Sequence, residues 1–313
     1  MPILVDFSQI SLAGIAAEKA ANPNVPLEPA LAKHFIINSL RMNTMKFKGQ
    51  YGKVYLCVDS TSWRKSYFPL YKARRAEDRK DDEEFWKLVY QTVKETADLL
   101  DEFSPYPVIR VPGAEADDII AWLTRKFAAP DSADDDFGGF GQETAKPEKV
   151  LILSGDKDFQ QLQILPNVDQ YSPTLKKNLK CKDPRGFFME HIARGDAGDG
   201  VPNVLSADNC LIDKIRQTPI MEKFVTEFKA GFENPETIEV KKISKELFLQ
   251  RFDRNKKLID LIHGIPKDVE ASIEEVYIRE TETPRGNLET LRQAFIANRM
   301  KNMLDVIGDF RNK

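Results

Sequence analysis

Four short apolar runs punctuate the first half of the chain, and each leads into polar residues. They are Ile3-Leu-Val-Asp6, Lys53-Val-Tyr-Leu-Cys-Val-Asp59, Pro107-Val-Ile-Arg-Val111 and Lys149-Val-Leu-Ile-Leu-Ser-Gly-Asp156. Unbroken apolar runs of this length predict strands buried on both faces. Stretches with helical spacing lie between them. Over 84–103, Phe85, Leu88, Val89, Thr92, Val93, Thr96, Leu99 and Leu100 share one face. Another helix is expected to open at Gly113-Ala-Glu-Ala-Asp-Asp118. Strand–helix alternation predicts an α/β fold with a mostly parallel central sheet flanked by helices. From Pro184 onward amphipathic stretches dominate, around 185–194, 206–216, 219–230, 244–263 and 286–307. The expected organisation is an α/β domain over 1–183 and a helical domain over 184–313. Residues 129–148, rich in Gly, Pro and Asp, read as a mobile surface loop.

Composition narrows the function classes. The 313 residues are 42% hydrophobic and 30% charged, as in an ordinary soluble globular protein. No apolar run approaches the ~20 residues of a membrane span. The N-terminus carries no signal pattern, so a cytoplasmic protein without a membrane partner is expected. Cys57, Cys181 and Cys210 form no Cys-x-x-Cys pair, and His34, His191 and His263 no His-Glu-x-x-His unit. The histidines therefore read as structural or surface residues. No Gly-rich nucleotide-binding motif occurs.

Chemistry is carried by carboxylates at strand ends and helix starts. They are Asp6, Asp59, the group Glu115, Asp117 and Asp118, the pair Asp156 and Asp158, and Asp196 and Asp199 within Gly195-Asp-Ala-Gly-Asp-Gly-Val-Pro202. In a parallel sheet the carboxyl ends of neighbouring strands converge, and ligands bind there. Oxygen-only donors select hard cations such as magnesium or manganese. Two such ions are a common device for phosphodiester hydrolysis. Taken singly, these acids also suit helix caps or solvated turns.

The net charge of −3 hides an uneven distribution. Setting aside the nine site acids and the loop's −5 leaves +11, as a polyanionic substrate requires. The densest basic stretch runs from Trp63 to Lys80. Arg64, Lys65, Lys72, Arg74, Arg75, Arg79 and Lys80 interleave there with Trp63, Tyr67, Phe68 and Tyr71. Cations neutralise phosphates and aromatic rings stack on unpaired bases. Residues 174–185 and 241–257 are also basic and suggest duplex contacts.

Six segments in this order resemble the structure-specific 5′-nuclease (flap endonuclease) family, and its bacteriophage branch in particular. They are Ile3-Leu-Val-Asp-Phe-Ser-Gln9, Cys57-Val-Asp59, Tyr71-Lys-Ala-Arg-Arg75, Gly113-Ala-Glu-Ala-Asp-Asp-Ile119, Leu153-Ser-Gly-Asp-Lys-Asp-Phe159 and Gly195 to Pro202. The resemblance implies a 5′→3′ exonuclease and flap endonuclease with ribonuclease H activity, which removes RNA primers in lagging-strand replication. It implies two Mg2+ ions, with Mn2+ able to substitute. Asp6, Asp59, Glu115, Asp117 and Asp156 match acids around the first ion, and Asp158, Asp196 and Asp199 those of the second. Asp118 matches an additional acid of the phage branch. Lys72 and Arg75 match groups that reach the scissile phosphate, so Lys72, Arg75 and Asp156 are the expected catalytic set. Arg64, Lys65, Tyr71, Arg74 and Arg79 join them as nucleic-acid contacts on a helical arch over 64–103. Implied partners are nicked or branched duplex DNA, RNA/DNA hybrid, a single-strand-binding protein and the replisome, met by a monomer. The family's Gly-x-Gly-x-Lys duplex-gripping signature is absent from Val201–Asp208. Only five residues precede Asp6, so no clamp-binding extension is expected. The rival from another class is a catalytically weak fork- or single-strand-binding protein. A small-molecule metal phosphohydrolase is a third reading, but it needs no basic–aromatic stretch.

Overall fold

The computed structural model describes residues 1–22, 27–77, 82–129 and 146–312. Arg79 and nearly all of the loop expected over 129–148 lie outside them.

Among the described residues, six strands form one sheet in the order β3-β2-β1-β4-β5-β6. They are β1 (Ile3–Asp6), β2 (Val54–Val58), β3 (Val108–Arg110), β4 (Val150–Leu153), β5 (Val168–Ser172) and β6 (Lys177–Leu179). All neighbours pair in parallel except β5 and β6, which form an antiparallel hairpin at the edge. The central strand β1 pairs on both sides, with Ile3 opposite Val54 and Leu151. Side chains alternate across a strand, so each face of the sheet receives its own core. Ile3, Val5, Val54, Leu56, Leu151 and Leu153 meet α1 (Phe7–Ala21), α2 (Pro29–Met45) and α5 (Glu83–Phe103). Leu4, Tyr55, Cys57, Val150 and Ile152 meet α6 (Ala116–Ala128) on the other face.

Between β2 and α5 the described residues make two single-turn helices, α3 (Arg64–Tyr67) and α4 (Arg74–Glu77). The second half of the expected arch is a core helix. In α5, Val89, Val93, Ala97 and Leu100 pack into the first cluster with Ile36 and Leu40 of α2.

After Pro184 come α7 (Pro184–Arg194), α8 (Glu222–Ala230), α9 (Lys245–Ile259), α10 (Lys267–Glu282), α11 (Leu288–Ala297) and α12 (Lys301–Leu304). They do not share one core. Ile192, Phe228, Phe248, Phe252 and Leu258 build a third cluster that takes in Phe68 and Tyr71. Val269, Ile273 and Val276 of α10 return to the second cluster, and Leu291 and Phe295 of α11 to the first. The helix expected over 206–216 is a set of turns. Its backbone closes into separate turns, with Cys210 N donating to Ala207 O at 3.2 Å and Ile212 N to Asn209 O at 3.0 Å, and Lys214 is left-handed at φ 55°. The stretch 286–307 is broken where Arg299 turns left-handed, at φ 55°.

Candidate metal centre

Three neighbouring strands deliver acids to one edge. Asp6 closes β1 and caps α1, its Oδ1 accepting from Gln9 N at 3.0 Å and its Oδ2 from the Ser154 hydroxyl at 3.0 Å. Asp59 follows β2, and its Oδ1 accepts from Ala116 N at 2.8 Å, which pins the start of α6. Asp117 sits in the first turn of that helix. Asp156 follows β4 and caps a 3-10 helix (Lys157–Ile164) by accepting from Asp158 N at 2.9 Å. Capping is thus a real role for Asp6 and Asp156, and it orients them without using all their lone pairs.

The group is short of counter-charge. Burial, then Asp59 and Asp156, push the Asp6 carboxyl up to about 7. Burial, then Asp156 and Asp6, hold Asp117 well above the usual carboxylate range, against the pull of Lys72. Burial also pushes Asp158 up to about 7, opposed by His191 and reinforced by Asp156 and Asp196. Buried carboxylates that repel one another bind either protons or cations.

A second group adjoins the first through Asp158. It contains Asp196 and Asp199, in the loop after α7, and a residue the sequence reading had set aside, His191. Ligand atoms of Asp158, His191 and Asp196 lie within 4.8 Å of one another. The sequence hint was slight: His191 stands five residues before Asp196, so a helix end followed by a tight turn brings them together. That turn depends on Gly195. Its φ of 68° is left-handed, and a Cβ there would lie 2.4 Å from Val201 O.

The basic stretch divides into groups that face the site and groups that do not. Lys72 Nζ pairs with Glu115 and lies 3.5 Å from Asp199 Oδ2. Both charges raise its pKa against burial. Arg75 pairs with Asp199. The Tyr71 hydroxyl lies 2.9 Å from Glu115 Oε2 and 2.8 Å from Asp199 Oδ2. Burial would raise the Glu115 carboxyl, but Lys72 and Arg64 beside it hold it below its ordinary range. The two loops are stitched together by Lys72 N donating to Asp199 O at 2.8 Å. Lys72 itself is left-handed, at φ 55°. Lys65 and Arg74 are exposed.

Three expectations are corrected by burial. Arg64 is 2% exposed and donates to both oxygens of Asp118, at 2.8 and 3.0 Å, to Glu115 Oε2 at 3.2 Å and to Leu258 O at 2.8 Å. It is an internal ion-pair partner, not a solvent-facing phosphate contact. Asp118 is wholly buried and also accepts from Glu115 N at 3.0 Å, so both its oxygens are taken up by Arg64 and the start of α6. It is not placed as a metal ligand. Phe68 and Tyr71 are also buried, which leaves Tyr67, 49% exposed, as the open stacking surface of that stretch.

Oxygen donors this crowded, several of them held protonated, fit hard divalent cations. Two buried polar atoms that face each other without a hydrogen-bond partner, Asp158 Oδ1 and His191 Nδ1, fit a cation as well.

The profile of the 5′-3′ exonuclease N-terminal resolvase-like domain matches residues 28–190, just over half of the chain. The chain belongs to the 5′-3′ exonuclease family. It is therefore a nuclease, an enzyme that breaks phosphodiester bonds. Among relatives of this exonuclease, the ribonuclease H of Enterobacteria phage T4 is 28% identical over 315 residues, covering 98% of this chain and 95% of its own. The fold is shared with the D15 protein of bacteriophage T5 co-crystallised with metal ions, at a TM-score of 0.54 and 16% identity, over 98% of this chain and 99% of that one. It is shared too with the T5 D15 flap endonuclease in a pseudo-enzyme–product complex with DNA and metal ions, at a TM-score of 0.56 and 15% identity, over 90% and 99%. Among the described residues no helix is long and apolar enough to cross a membrane.

Proposed function

We propose that this chain is a magnesium-dependent 5′→3′ exonuclease and 5′-flap endonuclease on DNA and RNA/DNA duplexes. Its role is the removal of RNA primers during lagging-strand replication. The observation that carries the reading is the convergence of Asp6, Asp59 and Asp156 at three strand ends with Asp117 at the start of α6, next to Asp158, Asp196 and Asp199, with Lys72 and Arg75 at the rim.

Asp6, Asp59, Asp117 and Asp156, with Glu115 beside them, would hold one cation, and Asp158, with Asp196 and Asp199 beside it, a second. Bound there, such a pair supplies an activated water and stabilises charge on the phosphate under attack. The side chains do the remaining work. Lys72 stays protonated beside Glu115 and Asp199 and presents its ammonium to the scissile phosphate, where charge builds in the transition state. Arg75 takes a neighbouring phosphate. Lys65, Tyr67 and Arg74 line the approach of the single strand by charge and stacking. Manganese substitutes for magnesium, and a single-strand-binding protein and the replisome are the expected partners of a monomeric enzyme.

The test is cleavage of a labelled 5′-flap duplex with magnesium and with chelator. Short 5′ fragments released near the junction only with the ion are the expected result. Asp156→Asn should abolish turnover and spare binding. Tight, salt-sensitive binding without cleavage in magnesium and in manganese would instead make this a binding protein.

A further inference from the structure

His191 of α7 is buried, and each ring nitrogen faces a carboxylate. Its Nε2 lies 3.0 Å from Asp196 Oδ2, and its Nδ1 lies 3.6 Å from Asp158 Oδ1. The two contacts differ in kind. Asp196 is saturated: its Oδ2 also takes Lys157 Nζ at 2.8 Å, and its Oδ1 accepts from Gly198 N at 2.8 Å and Asp199 N at 3.1 Å. An oxygen that already takes the Lys157 ammonium acts as an acceptor, so its 3.0 Å contact assigns the ring proton to Nε2. The lone pair of Nδ1 then faces Asp158 Oδ1, and among the described residues neither atom has a hydrogen-bond partner.

Two acceptors face to face repel unless a positive centre lies between them. A proton does not serve, because 3.6 Å is too long for a hydrogen bond. The span does suit two donors that each lie ~2.1 Å from one ion. The remaining contact has the form of a common supporting arrangement, in which a metal-binding histidine gives its other N–H to a carboxylate.

We propose that His191 Nδ1 is a ligand of the second divalent cation, beside Asp158, and that Asp196 acts from behind as the anchor of the imidazole. The inference rests on the two-metal reading above and changes the character of one of its sites. An imidazole donor shifts the second site away from a purely magnesium-type set of oxygens, toward manganese, cobalt and zinc. The first site remains all-oxygen.

Mn2+ is the probe, added to the full chain without nucleic acid and followed by pulsed electron paramagnetic resonance. The chain has three histidines. A double variant, His34→Gln with His263→Gln, leaves His191 as the sole imidazole and leaves the site untouched. Nitrogen modulation from bound Mn2+ is expected in this variant, and 15N-histidine labelling should change its frequency. His191→Gln should remove the modulation and weaken the second Mn2+ by about 10-fold or more, with the first unaffected. Two bound Mn2+ ions with no nitrogen coupling would overturn the assignment and leave the two-metal reading standing. Failure to bind Mn2+ at all would overturn both.

Discussion

Asp117 and Asp118 are adjacent on one helical turn, yet their neutralisation should have opposite effects on stability. Asp118 is wholly buried and receives two charge-assisted bonds from Arg64 and one from Glu115 N. Arg64 is also buried, lies over the Trp63 ring at 4.7 Å, and among the described residues has Glu115 as its one other anionic contact, at 3.2 Å. Asp118→Asn keeps the volume, removes the charge and turns an amide N–H toward a donor. Breaking one side of a buried ion pair costs about 3–5 kcal/mol. At roughly 2 °C per kcal/mol for a chain of this size, Tm should fall by about 6–10 °C. Asp117 instead faces Asp156 and Asp6, and burial adds to their repulsion. Asp117→Asn should leave Tm unchanged or raise it. The measurement is thermal and urea unfolding at pH 8 in chelator, with flap cleavage assayed in magnesium below both transitions. Asp118→Asn should cleave within a few-fold of the parent, and Asp117→Asn should not cleave. An Asp118→Asn variant that unfolded like the parent while losing cleavage would make Asp118 a ligand and refute the contrast.

Other outcomes follow from the same geometry. Asp6 and Asp158 hold their protons up to about pH 7 when folded and lose them near 4 when unfolded. The stability they contribute is therefore full below about pH 4 and is lost as pH rises through 7. In chelator the unfolding midpoint should be higher at pH 6 than at pH 8, and a saturating divalent ion should erase that order. A flat profile would mean that neither burial nor repulsion raises these two carboxyls. Lys72→Ala should lower single-turnover cleavage by about 10²–10³ with little change in flap affinity, since it acts on developing charge. An equal loss in both would make it a binding contact. Gly195→Ala should cost about 1–3 kcal/mol or more and weaken Mn2+ binding at the second site, because the residue is left-handed and its Cβ meets Val201 O. Unchanged calorimetric binding would separate that turn from the site.

The strands were readable because a parallel strand buried on both faces is a continuous apolar run, and β1, β2 and β4 are of that kind. Their terminal acids were readable for the same reason, since topology alone sends them to one edge. Burial of the basic stretch was not readable. Arg64 looks like Arg74 until Asp118, 54 positions away, is known to receive it. His191 was hidden because its partners come from two other segments and no spacing rule links all three. The edge hairpin β5–β6 and helix α10 were also missed. Lys177-Asn-Leu179 is too short and polar to signal a strand. The buried positions of α10, Val269, Ile273 and Val276, are thinly spread among charges. Over 206–216 the apolar spacing of a helix is present, but the chain closes into separate turns and Lys214 is left-handed.

The ties between Lys72, Arg75, Glu115 and Asp199 have a thermodynamic consequence. A carboxylate that holds an ammonium group is not fully free for a cation, and the ammonium it holds is not fully free for a phosphate. Each ligand therefore works against the same internal pairs. A cation that draws on Asp199 loosens Lys72 and Arg75 for the nucleic acid, and a phosphate that draws off those two side chains loosens Asp199 for the cation. The two affinities rise together by one common factor, whichever ligand arrives first. Without either, the basic limb lies closed on its own acids, as it would on a strand.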